Sequence, residues 1–143
     1  MLIGLPGSGK STFYRERLAS THRHISKDNF PHARSRQARQ DALLREALSS
    51  GASVAIDNTN VSPEERRGII TVAREYGARI VGYYIEASTR EAVARNERRE
   101  GRARVPKVAI FTAAKRLVPP RLEEGFEELQ RLRVSESGGF VES

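Results

Sequence analysis

The octapeptide Gly4-Leu5-Pro6-Gly7-Ser8-Gly9-Lys10-Ser11 follows directly on the apolar start Met1-Leu2-Ile3 and fills every fixed position of G-x-x-x-x-G-K-[ST]. This feature leaves few folds open, because the pattern is a strand, a glycine loop and the first turn of a helix in immediate succession. In a chain of 143 residues a chance match has odds on the order of one in a few hundred. Gly4, Gly7 and Gly9 admit backbone conformations that side chains forbid, so successive N–H groups turn toward one anion. The helix starting near Lys10 adds the positive end of its dipole. Lys10 is placed to reach the β- and γ-phosphates of a nucleoside triphosphate, and the Ser11 hydroxyl to ligate the magnesium that bridges them. Gly4, Pro6, Gly7, Ser8, Gly9, Lys10, Ser11 and Thr12 are therefore the expected donor-binding residues. Whether the γ-phosphate passes to water or to an acceptor is open at this point.

Behind the loop, strand and helix patterns alternate. A strand over Met1–Gly4 leads to a helix from Lys10 to about Ala19 with Phe13, Tyr14 and Leu18 toward the core. His24-Ile25-Ser26 reads as a short strand, Arg36 to Ser49 as a helix stopped by Gly51, and Ser53 to Asp57 as a buried strand. Ser62-Pro63-Glu64-Glu65 supplies a cap, a proline at the first helical position and a capping-box glutamate, opening a helix to Tyr76. Ala78 to Ile85 is a further strand, Ser88-Thr89-Arg90-Glu91 repeats the capping pattern, Val105-Pro106 opens a helix to about Lys115, and Leu129 to Val134 is a last strand. Such alternation implies right-handed crossovers and a mainly parallel sheet covered on both faces, an α/β fold of the P-loop NTPase type. The length fits one domain over 1–143, burying roughly two thirds of its unfolded surface.

A net charge of +7 favours an anionic partner beyond the nucleotide, although an arginine-rich composition alone gives the same number. No apolar run approaches the roughly 18 residues of a membrane span. No basic leader precedes the P-loop, so no cleaved signal is expected, and the absence of cysteine suits a reducing cytoplasm.

Transfer to a hydroxyl needs a base, a polar group near the metal, and cations to spread phosphoryl charge. Of three aspartates, Asp28 and Asp57 fall at the carboxyl ends of expected strands, where ligands of open α/β sheets bind, while Asp41 lies within a helix. Asp28 is either a base for an acceptor hydroxyl or a turn cap with Asn29. Asp57 begins Asp57-Asn58-Thr59-Asn60, and an acidic residue there is often the partner of the magnesium; capping of the next helix is already the work of Ser62. Arg95, Arg98, Arg99, Arg102 and Arg104 form a basic run opposed only by Glu97 and Glu100. The spacing of Arg95 with Arg99, and of Arg98 with Arg102, sets each pair on one helical face, as cis-acting arginine fingers or as a solvated surface.

Taken in order, these segments resemble the polynucleotide 5′-hydroxyl kinase family. The matching pieces are Gly4 to Thr12, Ser26-Lys27-Asp28, Ile56-Asp57-Asn58-Thr59-Asn60, Arg95-Asn96 with Arg99, Val105-Pro106, and Pro119 to Phe126 with Glu124-Gly125-Phe126. The resemblance implies an adenylate-kinase-like parallel sheet of four or five strands, helices on both faces and an arginine-rich lid over about 95–106. It implies ATP as donor, Mg2+ as cofactor, and a 5′-hydroxyl end of RNA or DNA as acceptor, within a larger end-healing protein or complex. Asp28 is by resemblance the general base; Lys10 and Ser11 hold phosphates and magnesium; Arg95 and Arg99 act on the donor phosphates. Asp57, Asn58, Thr59 and Asn60 face the acceptor. Pro31 stands where several relatives carry an acceptor-clamping arginine, for which Arg34 is the substitute at hand. The first strand is shorter than the family's, as in a truncated start, and three scattered aspartates supply no Asp-x-Asp phosphatase motif. Two rival readings share the donor residues: a kinase for a small hydroxylated metabolite or antibiotic, and a nucleotide-binding ATPase module that transfers nothing.

Overall fold

A computed structural model describes residues 1–143. In chain order it contains β1 (Leu2–Ile3), α1 (Lys10–Phe13) running into a π-helical turn (Tyr14–Leu18), β2 (Arg23–Ile25), a 3-10 turn (Lys27–Asn29), α2 (Arg36–Ser49), β3 (Val54–Ile56) and α3 (Pro63–Glu75). Then follow β4 (Val81–Glu86), α4 (Thr89–Glu97), a 3-10 turn (Gly101–Ala103), α5 (Lys107–Arg116), another 3-10 turn (Leu122–Glu124), β5 (Glu128–Val134) and β6 (Phe140–Glu142).

β2 pairs with β3, β1 with β4 and β4 with β5, all parallel, and a bridge from Leu2 to Asp57 joins the two sets. Five parallel strands thus run in the order β2-β3-β1-β4-β5, with β6 antiparallel on the outer edge of β5. β6 is an added antiparallel edge strand beyond the expected last strand, on a sheet that is otherwise parallel as expected. A turn in which Ser135 N–H donates to Gly139 O at 2.7 Å folds the chain back, and Gly138 takes the left-handed φ of 94° there.

The two residues of β1 show how the layers form, since successive strand side chains point to opposite faces. Leu2 packs with Phe13, Leu18, Ala55, Ile85 and Leu132 on the α1 face. Ile3 packs with Ile70, Ala73, Ile80, Tyr84 and Phe126 on the α3 face. Helices therefore cover both sides. The regular helix expected to about Ala19 widens after Phe13, where Ala19 N–H reaches back five residues to Tyr14 O at 2.8 Å. Widening puts Phe13 and Leu18, five apart, into one cluster. Ser62 Oγ accepts from Glu65 N–H at 3.2 Å, but the Glu65 carboxylate turns to Arg116, so only half of the expected capping box forms. α4 and α5 pack together through Ala92, Ile110 and Ala113 against Leu5 and Val61, beside the P-loop.

Candidate active site

The loop after β1 is held from two sides. Gly4 N–H donates to Thr59 O at 3.0 Å, which ties the loop to the segment after β3. Gly7 has φ 83°, and a Cβ there would run into the carbonyl oxygen of Ala92, so the loop lies against the α4 backbone as only glycine permits. No side chain caps α1, which leaves the N–H groups of its first turn, at Lys10, Ser11 and Thr12, without intrahelical partners and free for an anion. Lys10 is 8% exposed and donates from Nζ to Leu5 O at 2.8 Å. Burial pulls its pKa down to about 8 against the opposing charge of Asp57, with Arg99 adding to the fall and Asp28 opposing it. A phosphate arriving here finds an ammonium that gains by its charge. The Ser8 hydroxyl, fully buried in the same loop, has no hydrogen-bond partner.

Asp57 sits where β3 ends and is 5% exposed. Its Oδ2 accepts from Ser11 Oγ at 2.9 Å and faces His24 Nε2 at 2.8 Å. Burial pushes the Asp57 carboxyl up, but the hydrogen bond from His24, the charge of Lys10 and the bond from Ser11 outweigh it and hold the group below its ordinary range. A serine whose hydroxyl proton is donated in a hydrogen bond to a carboxylate offers its oxygen lone pairs to a hard cation. Magnesium is held by few protein oxygens together with phosphates and water, so this donor set fits it.

Asp57 also lines a cleft of about 970 Å3 with Lys10, Ser11, Thr12, Asp28, Asn58, Thr59, Arg36, Arg99 and Arg102. Only three of its 24 lining residues are hydrophobic, which suits a charged, hydrated occupant. An apolar cavity of about 490 Å3 near Met1, Leu48 and Ile80, at the opposite strand ends, offers no such chemistry. Across the cleft Asp28 lies in the 3-10 turn after β2, its side chain 92% exposed. Arg36 Nη2 stands 3.5 Å from Asp28 Oδ1, and Arg102 Nη2 the same 3.5 Å from Asp28 O.

Other expected residues fall differently. Arg34 is exposed and outside the cleft lining, where Arg36 stands instead. Asn60, 3% exposed with φ 47°, spends its amide on Leu2 O at 2.7 Å. Asn58 accepts from Lys27 N–H at 2.9 Å and donates to Gln40 at 2.6 Å, so it braces the turn that carries Asp28. The arginine pairs do not share helical faces, because α4 stops at Glu97. In the last turn, Asn96 is 1% exposed, and its side chain donates to Val105 O at 2.7 Å and accepts from Val105 N–H at 2.9 Å, which closes the loop that follows. The intervening loop leaves Arg99 and Arg102 on the cleft, while Arg95, in the last turn of α4, reaches Ser8 O at 3.3 Å.

His24, Gln40 and Arg66 were not foreseeable as site residues from motif or local pattern. Arg66 is fully buried, bonds Glu124 through Nε at 2.8 Å and Nη2 at 3.1 Å, and donates from Nη1 to Asn60 O at 2.9 Å. This explains the Glu124-Gly125-Phe126 segment, which anchors the turn at Asn60 from the far side of α3. For His24 the available signal was a histidine alternating with Ile25 on the strand next to that of Asp57.

A parallel sheet in this order, a P-loop with an uncapped first turn, and a carboxylate bonded to the P-loop serine together define a nucleotide-binding P-loop domain of the kinase type. The sequence profile of the AAA domain family matches residues 1–120, and the chain belongs to that family. A bifunctional polynucleotide phosphatase/kinase of Schizosaccharomyces pombe is 27% identical over 136 residues, covering 92% of this chain and 32% of that protein. The chain thus spans about a third of the length of this curated relative. Among solved structures, a fungal RNA kinase superimposes with TM-score 0.71 at 19% identity, over 95% of this chain and 38% of that one. Chaetomium thermophilum Kti12 in complex with ADP-AlF3 gives 0.67 at 21% identity, over 95% and 90%. These likenesses establish the fold. No helix is long and apolar enough to cross a membrane.

Proposed function

We propose that residues 1–143 act as one kinase domain that transfers the γ-phosphate of ATP to a 5′-hydroxyl end of RNA or DNA in a reducing cytoplasm. The observation that carries this reading is the placement of Asp28, an open carboxylate among Arg36 and Arg102, across a polar cleft from Ser11 and the buried Lys10 and Asp57. The +7 charge and the 27% identical polynucleotide phosphatase/kinase support a polyanionic acceptor.

In this mechanism the first-turn N–H groups and Lys10 bind the β- and γ-phosphates, Lys10 exchanging Leu5 O for phosphate oxygen. Ser11, with Asp57 hydrogen-bonded behind it, would hold Mg2+, which would supply positive charge against that of the transferred group. Asp28 accepts the proton of the acceptor hydroxyl as its oxygen bonds to the γ-phosphorus, and the bond from that phosphorus to the bridging oxygen breaks to release ADP. Arg95 and Arg99 spread the negative charge of the phosphoryl in flight, within a lid over about 95–106. Asn58 and Thr59 shape the acceptor side, Asn58 by bracing the turn that carries Asp28.

Incubation with γ-labelled ATP and 5′-hydroxyl RNA and DNA oligonucleotides is expected to label the 5′ end. Label on small polyols but not on oligonucleotides would replace the acceptor class. ATP hydrolysis indifferent to hydroxyl ends would make the chain a module without transfer.

A further inference from the structure

The strongest unexplained group near the P-loop is His24, which stands on β2, two strands away from β1. Its Nε2 lies 2.8 Å from Asp57 Oδ2, and the same oxygen takes the Ser11 hydroxyl at 2.9 Å. A carboxylate only accepts, so Nε2 carries the proton and donates it. That leaves Nδ1 as an acceptor, and Asn29 Nδ2 stands 3.3 Å from it. The ring also lies against Tyr14, centroids 4.5 Å apart, and the Tyr14 hydroxyl is fixed by His22 O at 2.7 Å. Both ring nitrogens and one ring face are therefore engaged.

We infer that His24 is a positioning residue, which with Ser11 pins Asp57 Oδ2 and so keeps the other carboxylate oxygen available to the magnesium–nucleotide. Two donors on one oxygen decide the rotation of the carboxylate about its Cβ–Cγ bond; the Ser11 hydroxyl alone, attached to a side chain that itself must turn to a metal, would not. Partners that orient the residues around a metal in this way affect metal affinity by roughly 10–100-fold. The chain Asn29, His24, Asp57, Ser11 further links the turn that holds Asp28 with the donor end, since Asn29 is the next residue after Asp28. The inference rests on the P-loop taking a metal–nucleotide and is independent of the acceptor, so the oligonucleotide assay and the present test fail separately.

The test is calorimetric titration of the full chain with the ATP analogue AMPPNP, in Mg2+ and in EDTA; the ratio of the two affinities measures what the metal contributes. His24→Phe keeps a ring against Tyr14 and deletes the donor, whereas His24→Gln keeps an N–H donor and deletes the ring. Positioning predicts that His24→Phe lowers the ratio about tenfold with the EDTA affinity within twofold of wild type, and that His24→Gln restores most of the ratio. A packing role predicts the opposite order, and a wild-type ratio in His24→Phe overturns the inference. Should His24→Phe not fold, His24→Gln decides alone: a ratio within threefold of wild type supports the role, and a tenfold fall overturns it.

Discussion

The two walls of the cleft are built to different tolerances. On the donor wall, Lys10, Asp57 and Ser8 are each less than a tenth exposed, and their bonds measure 2.8–2.9 Å where they have partners. On the wall that the proposed function assigns to the acceptor, the Asp28 side chain is 92% exposed, and its arginine neighbours stand at 3.5 Å. Buried groups at such distances are fixed before anything binds; exposed groups at 3.5 Å are not. The donor end is thus prepared for one invariant chemical group, a chain of phosphates. The acceptor end is left to be ordered by what arrives.

If the difference is functional, the open wall should matter for chemistry and hardly at all for nucleotide. Asp28→Ala is the strongest way to break the comparison. Removal of a general base is expected to lower kcat roughly 10²–10⁴-fold, with the dissociation constant for AMPPNP unchanged within about twofold. A large loss of nucleotide affinity in calorimetry would move Asp28 to the donor wall and erase the distinction.

A smaller but opposite effect is expected on the buried wall. A fall from 10.5 to about 8 for Lys10 corresponds to about 3 kcal/mol of strain against the charged form. In the unfolded chain the amine keeps its proton to about pH 10.5, so between about pH 8 and 10.5 the unfolded state binds more protons and stability rises with pH; below about pH 8 the full penalty stands. Lys10→Met should therefore raise stability by about 2 kcal/mol at pH 7, after loss of its bond to Leu5 O, and flatten that slope. Denaturant unfolding at several pH values reads both, and the variant should no longer bind nucleotide. A less stable Lys10→Met would mean that the buried charge is already compensated and that the wall is not held ready for phosphate.

What could be read from sequence follows the same division between local and distant causes. The P-loop, the cap of α3 at Ser62 and Pro63, and the strand-end aspartates are signalled by neighbours within a few residues, and the structure places them at the cleft and at the start of α3 accordingly. The partners that complete the site are far off in the chain: His24 meets Asp57 across 33 residues, Asn58 meets Gln40 across 18, and Arg66 meets Glu124 across 58. No window of periodicity carries such pairs. The shared helical faces expected for the arginine pairs did not form, for a different reason. Spacing of four implies a shared face only while the helix continues, and α4 ends at Glu97, with the Asn96 side chain tied to both backbone groups of Val105 across the following loop. β6 depended on a Ser-Gly turn and on an edge left open by β5, neither of which has a hydrophobic period.

The smallest expected effect is at Arg102, and it sharpens the comparison most. Arg102 lines the cleft and reaches only a backbone oxygen, that of Asp28, at 3.5 Å. An exposed cation of this kind contributes up to about 1 kcal/mol to holding an anion. Arg102→Ala should raise KM for a 5′-hydroxyl oligonucleotide two- to fivefold at low salt and leave KM for ATP as it was. The difference should vanish near 0.5 M salt, where the screening length falls to roughly 4 Å. A loss of tenfold or more that survives high salt would show a desolvated, directed contact. The acceptor wall would then be as firmly made as the donor wall, ordered by the lid rather than by the incoming strand.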